Sequence, residues 1–492
     1  MCFNISLVNK MKKKTKPPSC TRAFVVANIG DEVDSFCQRS DRYEELLFEY
    51  DLLSERALFW PLQSDLLVAS QLAIPEEFVE WVARIFKKKI KVLAPPDKTQ
   101  PLFEFLSEKK QIEEIRAWVG SDSETPVSLV SYSFSEKIEQ YVQLLSSQGI
   151  FLDQRTLPTS AFEGKRRYFS SKFGFKSILE TLNQNGYPIL GSDYAACTSL
   201  DAAYSATIDF LSSGRDVIVK PTDGNSGLGA LRFYASDLSE PEKIREQFES
   251  NTYLQNTNIM VEELLRLKPG ELQSPSVEIY VPAAPEKPYP LYWSQQILSP
   301  EGNFLGVVMD HIDPNSSETI RAEADALAIA SFLQKEGYRG HFDMDCVIRE
   351  DGRFIPIEIN IRRTGGTHVY STMKSLYAGD MDDLVIISRE EFRTGRAQTW
   401  EVVREKLHDL FISADKKTGM LPININMLEI NLIGFIVIES TLERAFQLQD
   451  EIRMRLMSDL ALKEEIQVPA VVPVVQPARY RKGYQNRPGM SF

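Results

Sequence analysis

Cysteine is scarce in this 492-residue chain, and no two cysteines form a closely spaced pair. The five that occur are scattered along the chain, at Cys2, Cys20, Cys37, Cys197 and Cys346. Without a C-x-x-C pair, a structural zinc site and a disulfide framework are both disfavoured. We therefore expect a protein of the reducing cytoplasm.

Long hydrophobic runs are also missing. No apolar stretch reaches the roughly 20 residues needed to cross a bilayer as a helix. The short apolar start, residues 1–8, precedes the lysines of residues 10–16, whereas a secretory signal places its positive charge first. We expect no membrane association and interpret residues 1–22 as a disordered leader.

Positively charged residues are outnumbered. The chain has 69 acidic residues and 56 lysines and arginines, which gives a net charge of −13. This balance argues against a general nucleic-acid binder. A chain that is 43% hydrophobic and 25% charged is typical of a globular protein. Its length allows two to four domains.

Apolar strand-like runs alternate with helix-like periodicity in the first third of the chain. Residues 23–30, 65–69, 90–93 and 126–130 have the composition of buried strands. Between them, apolar residues recur at helical spacing, and Ser135 can cap the last helix. This alternation predicts an open, mostly parallel α/β sheet over residues 23–165. No G-x-G-x-x-G follows the first strand, so no dinucleotide is expected there.

A hairpin near residue 350 combines three oxygen-bearing side chains. Residues 345–348 and 354–360 have the pattern of two strands joined by a turn around Gly352. Glu358 and Asn360 are two residues apart and face the same way on a strand, next to Asp345 on its partner. Hard oxygen ligands suit Mg²⁺ that bridges nucleotide phosphates. The alternative is an amphipathic hairpin with a solvated acidic face.

A β-branched strand, Val217–Lys220, ends in a lysine and is followed by a glycine-rich segment. Successive backbone N–H groups in such a turn can form an anion-binding nest, with Lys220 reaching the phosphates of a nucleotide. The candidate loop residues are Gly224, Asn225, Ser226, Gly227 and Gly229. A plain glycine-rich hairpin is the alternative interpretation.

Two weaker signals flank this loop. Residues 260–265 have the pattern of a short strand whose backbone could pair with an adenine edge, although the pattern alone favours an ordinary strand end. Upstream, Lys172 stands near the start of a predicted helix, where backbone N–H groups already favour anions. A lone lysine at such a position is usually just solvated.

In this order, these elements resemble the ATP-grasp superfamily over about residues 168–390. Its members are ATP-dependent carboxylate–amine and carboxylate–thiol ligases, with some kinases and carboxylases. A narrower resemblance is to peptide ligases of the pheganomycin-synthesis type, which carry a pre-ATP-grasp domain in front. The segments that carry it are 56–60, 64–68, 78–84, 274–279, 295–298 and 362–368.

The resemblance implies an α/β fold that is α+β in its catalytic part. A Rossmann-like pre-ATP-grasp domain (residues 23–165) would precede an ATP-grasp domain (166–392). A small C-terminal α+β module (393–466) would follow, and then a flexible tail (467–492) that is first Pro/Val-rich and then basic.

The resemblance also implies nucleotide-binding roles. Lys172 and Lys220 would hold the ATP phosphates together with the glycine-rich loop. The adenine hinge would comprise Glu262, Glu263 and Leu265. Glu278 would bind the ribose hydroxyls, with Glu271 left open as a rival.

The metal and catalytic roles follow in the same way. Asp345, Glu358 and Asn360 would carry Mg²⁺, and Asp343, of the same strand parity as Asp345, is the second choice for its place. Arg362 would hold the substrate carboxylate or the departing phosphate. His368 would help to deprotonate the amine, with a packed loop histidine as the alternative.

The predicted function is ATP-dependent carboxylate–amine ligation, of amino acids or peptides, through an acyl phosphate with release of ADP and phosphate. Another ATP-grasp phosphotransfer enzyme, of the kinase or carboxylase type, and a non-catalytic ATP-binding regulatory protein remain alternatives. The expected cofactors are ATP and Mg²⁺, with Mn²⁺ left open, and a homodimer is also left open. After Thr367 and His368 the chain continues with Val369, where that ligase family usually has proline. Because this departure lies in the loop on the acceptor side, the resemblance does not imply which substrates are joined.

Overall fold

The computed structural model describes residues 21–36, 43–120, 126–158, 160–222, 229–269, 274–299, 303–309, 312–377, 384–413 and 415–457. Three β-sheets organise these residues: a front sheet of four strands, a small sheet of four and a large sheet of eight. The predicted fold class, a parallel α/β domain followed by an α+β part, is confirmed. Within the described residues, no helix is both long and apolar enough to cross a bilayer.

The front sheet is wholly parallel, as the alternating pattern predicts, with strand order β3-β2-β1-β4. Its elements are β1 (Arg22–Val26), α1 (Asp31–Phe36), α2 (Tyr43–Asp51), β2 (Asp65–Ala69), α3 (Glu76–Phe86), β3 (Lys89–Leu93), α4 (Leu102–Leu106), α5 (Lys109–Val119), β4 (Val127–Ser131) and α6 (Glu136–Ser147). Ser135 caps α6 as expected, because its hydroxyl accepts a hydrogen bond from the N–H of Ile138. We refer to residues 21–158 as the front domain.

The small sheet is antiparallel, with strand order β5-β8-β6-β7. It contains β5 (Tyr194–Cys197), β6 (Val217–Pro221), β7 (Leu231–Phe233) and β8 (Ile259–Glu263), and it is accompanied by α7 (Ser160–Ser170), α8 (Lys172–Gln184), α9 (Leu200–Ser212) and α10 (Pro241–Ser250). Helix α8 follows directly on α7, and Ser171 caps it through the N–H of Gly174. A Cβ at Gly174 would lie 1.8 Å from the carbonyl oxygen of Tyr168, so this tight helix junction requires glycine.

The large sheet has the order β13-β12-β9-β10-β11-β14-β16-β15. Its elements are β9 (Pro275–Val281), β10 (Tyr289–Leu298), β11 (Phe304–Met309), α11 (Ser317–Lys335), β12 (Gly340–Ile348), β13 (Phe354–Asn360), α12 (Thr367–Tyr377), β14 (Val385–Arg393), α13 (Trp400–Leu407), β15 (Gly419–Asn424), β16 (Leu432–Glu439) and α14 (Leu442–Met457). The predicted C-terminal strand and helix are thus present as β16 and α14. The strand β16 pairs with β14, which makes the large sheet continuous across residue 393.

One hydrophobic core joins the front domain to the C-terminal part of the large sheet. Trp400 at the start of α13 meets Phe78 of α3 edge to face, with 5.2 Å between ring centroids, and stacks on Phe411 at 5.7 Å. Aromatic pairs of this kind add to the stability that burial provides. The front domain is therefore packed firmly against the large sheet rather than tethered to it.

Candidate active site

A cleft forms where the front domain, the α7–α8 junction and strand β13 meet. It encloses about 440 Å³, part of it open to solvent. Four predicted residues, Lys172, Glu358, Asn360 and Arg362, line it together. Its other lining residues are Glu32, Ser170, Ser171, Phe175, Ile359 and Ile361.

The predicted hairpin is present, and its register gathers the acidic side chains. Asp345 of β12 pairs directly with Glu358 of β13, and Asp343 pairs with Asn360. Since residues two apart on a strand share a face, all four side chains lie on one side of the sheet. Asp343, the second choice for a metal ligand, therefore stands beside Asp345, and the choice between the two stays a prediction.

Hydrogen bonds tie this acidic face together. Asp345 accepts from the side-chain amides of Gln296, at 2.6 Å, and Asn360, at 3.2 Å. The pKa of Asp343 is raised to about 7, mainly by burial and next by the charge of Glu278. The pKa of Asp345 is also raised, mainly by burial and next by the charge of Asp343. Two carboxyls with raised pKa values are typical of sites where like charges are held close together.

The acidic face fits a Mg²⁺ ion that is shared with a nucleotide. No three His, Cys, Asp or Glu side chains in the described ranges are arranged to hold a metal by themselves. Mg²⁺ commonly binds proteins through one or two carboxylates and takes its other ligands from water and substrate phosphates. One buried oxygen of Asp343 has no hydrogen-bond partner among the described residues. The donor set is therefore of the right chemistry, and phosphate oxygens would complete it.

Lys220 lies at the end of β6 and contacts Glu262 across the antiparallel β6–β8 pair, with 3.0 Å between Nζ and Oε2. Lys176 of α8 bonds the other oxygen of Glu262 at 2.7 Å. Burial alone would raise the pKa of Glu262, but the two lysines outweigh it and lower the pKa to about 2. The carboxylate is thus ionised, and it holds two ammonium groups beside the start of the predicted phosphate loop.

The predicted phosphate loop begins next to the α8 N-terminus. The backbone N–H of Lys172 donates to the carbonyl of Thr222, two residues after Lys220, at 3.2 Å. Gly229 closes the loop with a left-handed φ of +74°, and a Cβ there would meet the ring of Tyr253. The remaining loop candidates, Gly224, Asn225, Ser226 and Gly227, lie outside the described residues.

The predicted adenine hinge begins within β8, one of the two central strands of the small sheet. The N–H of Glu263 donates to the carbonyl of Asp193 at 2.9 Å, and the N–H of Leu264 donates to that of Asp216 at 2.8 Å. Leu265, the next hinge residue, is half-buried. The role of Glu262, Glu263 and Leu265 in binding adenine stays a prediction.

Glu278, the predicted ribose ligand, is held by four side chains of the protein. It is fully buried in β9, and its oxygens accept hydrogen bonds from the hydroxyls of Thr364, at 2.9 Å, and Thr367, at 2.7 Å. Tyr292 and His341 bond it as well, each at 2.5 Å. Both oxygens are thus engaged beneath the segment that follows β13, and a contact of Glu278 with ribose stays a prediction. The rival Glu271 lies outside the described residues.

Arg362 projects from the end of β13 toward the front domain. Its Nε lies 3.5 Å from Oε2 of Glu32, which also bonds Arg166 at 2.9 Å. Burial would raise the pKa of Glu32, but the charges of Arg166 and Arg362 lower it below its usual value. The result is an ionised carboxylate between two guanidinium groups on the wall of the cleft.

His368 lies in the first turn of α12 rather than in a loop. Its ring is 1% exposed, and Nε2 is 3.6 Å from an oxygen of Glu390. Burial, followed by the charge of Arg56, lowers the pKa of His368 well below its ordinary value, so the imidazole is neutral. A side chain this inaccessible matches the packed-histidine alternative better than the expected contact with an incoming amine.

Three residues that contribute to this geometry were missed by the sequence analysis: Glu32, Lys176 and His341. Lys176 is four residues after Lys172 on a helix, so the two lysines share a face, which is a detectable signal. Glu32 follows the first strand of a parallel sheet, at the carboxyl edge where such sheets bind ligands. His341 has no comparable signal, because its partners Glu278 and Arg363 come from two distant segments.

No protein-family model matches this chain, and no curated protein sequence matches it. Solved structures do match. Biotin carboxylase from Campylobacter jejuni, in a β,γ-ATP complex, aligns with a TM-score of 0.50 and 12% identity over 89% of this chain and 94% of its own. The chain has an ATP-grasp fold. The likeness extends to the fold alone at this level of identity.

Two further structures with more distant likeness illustrate the range of proteins that match. Carboxyaminoimidazole ribonucleotide synthase from Aspergillus clavatus, complexed with ATP, has a TM-score of 0.46 and 13% identity over 81% of this chain and 99% of its own. D-alanyl-alanine synthetase A from Vibrio cholerae has a TM-score of 0.36 and 16% identity over 52% of this chain and 71% of its own.

Proposed function

We propose that this protein is an ATP-dependent carboxylate–amine ligase acting on amino acids or peptides. The observation that carries the proposal is the single cleft in which Lys172, Glu358, Asn360 and Arg362 meet, beside the paired carboxylates of β12. The ATP-grasp fold supports the ATP-dependent part of the proposal, since the matching biotin carboxylase was solved as an ATP complex.

In the proposed reaction, a carboxylate oxygen of the acid attacks the γ-phosphorus of ATP, and ADP leaves from an acyl phosphate. The amine nitrogen then attacks the acyl carbon, and phosphate departs as the amide forms and the nitrogen loses a proton. Phosphoryl transfer depends mainly on positioning and charge neutralisation. The protein would supply both through its lysines, through Arg362 and through the acidic face.

Each group has a defined task in this scheme. Lys172 and Lys220 would hold the phosphates as point charges, and Arg362 would grip the acid's carboxylate through paired hydrogen bonds. Mg²⁺ bound by Asp345, Glu358 and Asn360 would neutralise the charge that develops on the phosphate oxygens. Because acyl phosphates hydrolyse, the loop at residues 223–229 would serve to exclude water.

ADP release from MgATP, screened against amino acids and short peptides, tests this proposal. Hydroxylamine should replace the amine and yield a hydroxamate, because it traps an acyl phosphate. A phosphorylated alcohol does not react to give a hydroxamate. Formation of a phosphorylated alcohol without any hydroxamate would instead identify a kinase.

A carboxylase is the second candidate, favoured by the fold match to biotin carboxylase. It would release ADP in response to bicarbonate without any amino acid. If the protein binds MgATP but releases no ADP with any acid, amine or bicarbonate, the ligase proposal fails and a regulatory ATP-binding role replaces it.

A further inference from the structure

The front sheet has a crevice that its own topology creates. From β1 the chain continues to β2 and β3 on one side of the sheet, whereas β4 lies on the other side of β1. The strand order therefore reverses between β1 and β4. In open parallel sheets, ligands bind outside the carboxyl ends of the strands at such a reversal. Here the carboxyl ends are Val26 and Ser131, which are paired in register.

The protein's own arginines fill this crevice. Arg363 donates from its backbone N–H to the carbonyl of Tyr132 and from Nε to that of Ser131, each at 3.0 Å. Arg362 pairs with Glu32, which follows β1. The segment after β13 therefore occupies the place where a separate ligand of the front sheet would bind.

Glu32 is also held by Arg166 of α7, which lies outside the front domain. Arg166 bonds it at 2.9 Å, and both side chains are almost completely buried. The start of α1 is also braced, because Asp31 accepts hydrogen bonds from Asn28, at 2.8 Å, and Ser135, at 2.6 Å. A carboxylate fixed in this way is suited to orienting a partner rather than to swinging aside.

We infer that Glu32 is a positioning residue that sets the direction of the Arg362 guanidinium from the front domain. The inference rests on the proposed function, in which Arg362 grips the acid. The front domain thereby contributes one wall of the active site and orients a group of the ATP-grasp domain. It has no separate ligand of its own at the crevice.

Glu32→Gln removes the charge and preserves the size of the side chain. We expect kcat for ADP release to fall about 10- to 100-fold, since small misplacements of a substrate-holding group have effects of that order. The affinity for MgATP should stay unchanged, whereas a variant with a general structural defect would also bind MgATP more weakly. Glu32→Asp, which keeps the charge, should recover part of the loss and serves as the test if Glu32→Gln does not fold.

Glu77→Gln is the matched control. Glu77 also joins the front domain to an arginine, Arg404 at 2.8 Å, but both side chains are exposed. It should leave kcat unchanged.

Phenylglyoxal labelling, followed by peptide mass spectrometry, tests the geometry independently of turnover. Freed from its carboxylate, Arg362 should react faster in the Glu32 variants and at the wild-type rate in Glu77→Gln. An unchanged labelling rate, or an unchanged kcat, overturns the inference. If the wild-type protein proves to have no turnover, the proposed function fails while the labelling still decides the role of Glu32.

Discussion

Lys220 and Glu262 form an ion pair across two central strands of the small sheet, with 3.0 Å between their charged atoms. The pair is not isolated, because Lys176 shares the same carboxylate. The lysine that is predicted to bind phosphate is thus held in place by a buried carboxylate. Separate variants can test what this ion pair contributes to stability and what Lys220 contributes to nucleotide binding.

Glu262→Gln should destabilise the protein. Removal of one partner from a buried ion pair costs about 3–5 kcal/mol, because the remaining charge is left uncompensated. Urea unfolding at neutral pH measures the loss. Glu263→Gln, on the neighbouring half-buried residue, is the control and should change the free energy of unfolding by no more than about 0.5 kcal/mol.

The same ion pair predicts a pH dependence. The pKa of Glu262 is lowered to about 2 in the folded protein, so its contribution to stability is complete above the ordinary carboxyl pKa and is lost as the pH falls through 2. The difference in unfolding free energy between wild type and Glu262→Gln should therefore shrink from pH 5 toward pH 2. A constant difference would show that Glu262 does not titrate with this lowered pKa.

Lys220→Ala should weaken the binding of ATP, because it deletes a charge-assisted contact with phosphate. Such contacts are worth about 1.5–3 kcal/mol, or about 10- to 100-fold in affinity. Calorimetry with Mg²⁺ and a non-hydrolysable ATP analogue measures the change. Lys243→Ala, at an exposed lysine of α10, should have no effect, and equal affinities for both variants would remove Lys220 from the phosphate site.

Glu358→Gln should reduce ADP formation about 100-fold or more, since it removes a carboxylate from the site proposed for Mg²⁺. The circular dichroism spectrum should remain that of the wild type. Glu350→Gln, in the turn of the same hairpin, is exposed and serves as the control. Retained turnover in Glu358→Gln would exclude the metal-binding role.

Glu278→Gln distinguishes its predicted contact with ribose from its observed contacts. The structure places Glu278 beneath Thr364 and Thr367, so we expect a loss of about 1–3 kcal/mol in unfolding free energy and an unchanged affinity for ATP. Calorimetry and urea unfolding of the same preparation measure both. A weaker affinity at unchanged stability would instead support the predicted contact with ribose.

The acidic hairpin could be predicted from the sequence because its information is local. Spacing within two strands and one turn is enough to place Asp345, Glu358 and Asn360 on one face, and the register confirms it. The parallel front sheet was predictable for the same reason. Alternating strand and helix periodicities determine such a fold without any knowledge of distant contacts.

Local spacing failed where a role depended on burial. Glu278 and His368 have the residue types of ligand-binding groups, but both lie inside the protein, among partners contributed by separate segments. Burial is a property of the assembled domains, so no window of sequence can report it.

The sequence by itself determined which polar side chains share a face, since that depends on residue type and on spacing within single elements. Only the tertiary structure decided which distant side chains contact one another. Glu32 reaches Arg362 from 330 positions away, and Lys176 reaches Glu262 from another element. These pairings exist because elements that are distant in sequence pack against one another, and such long-range contacts leave no periodic trace in the chain.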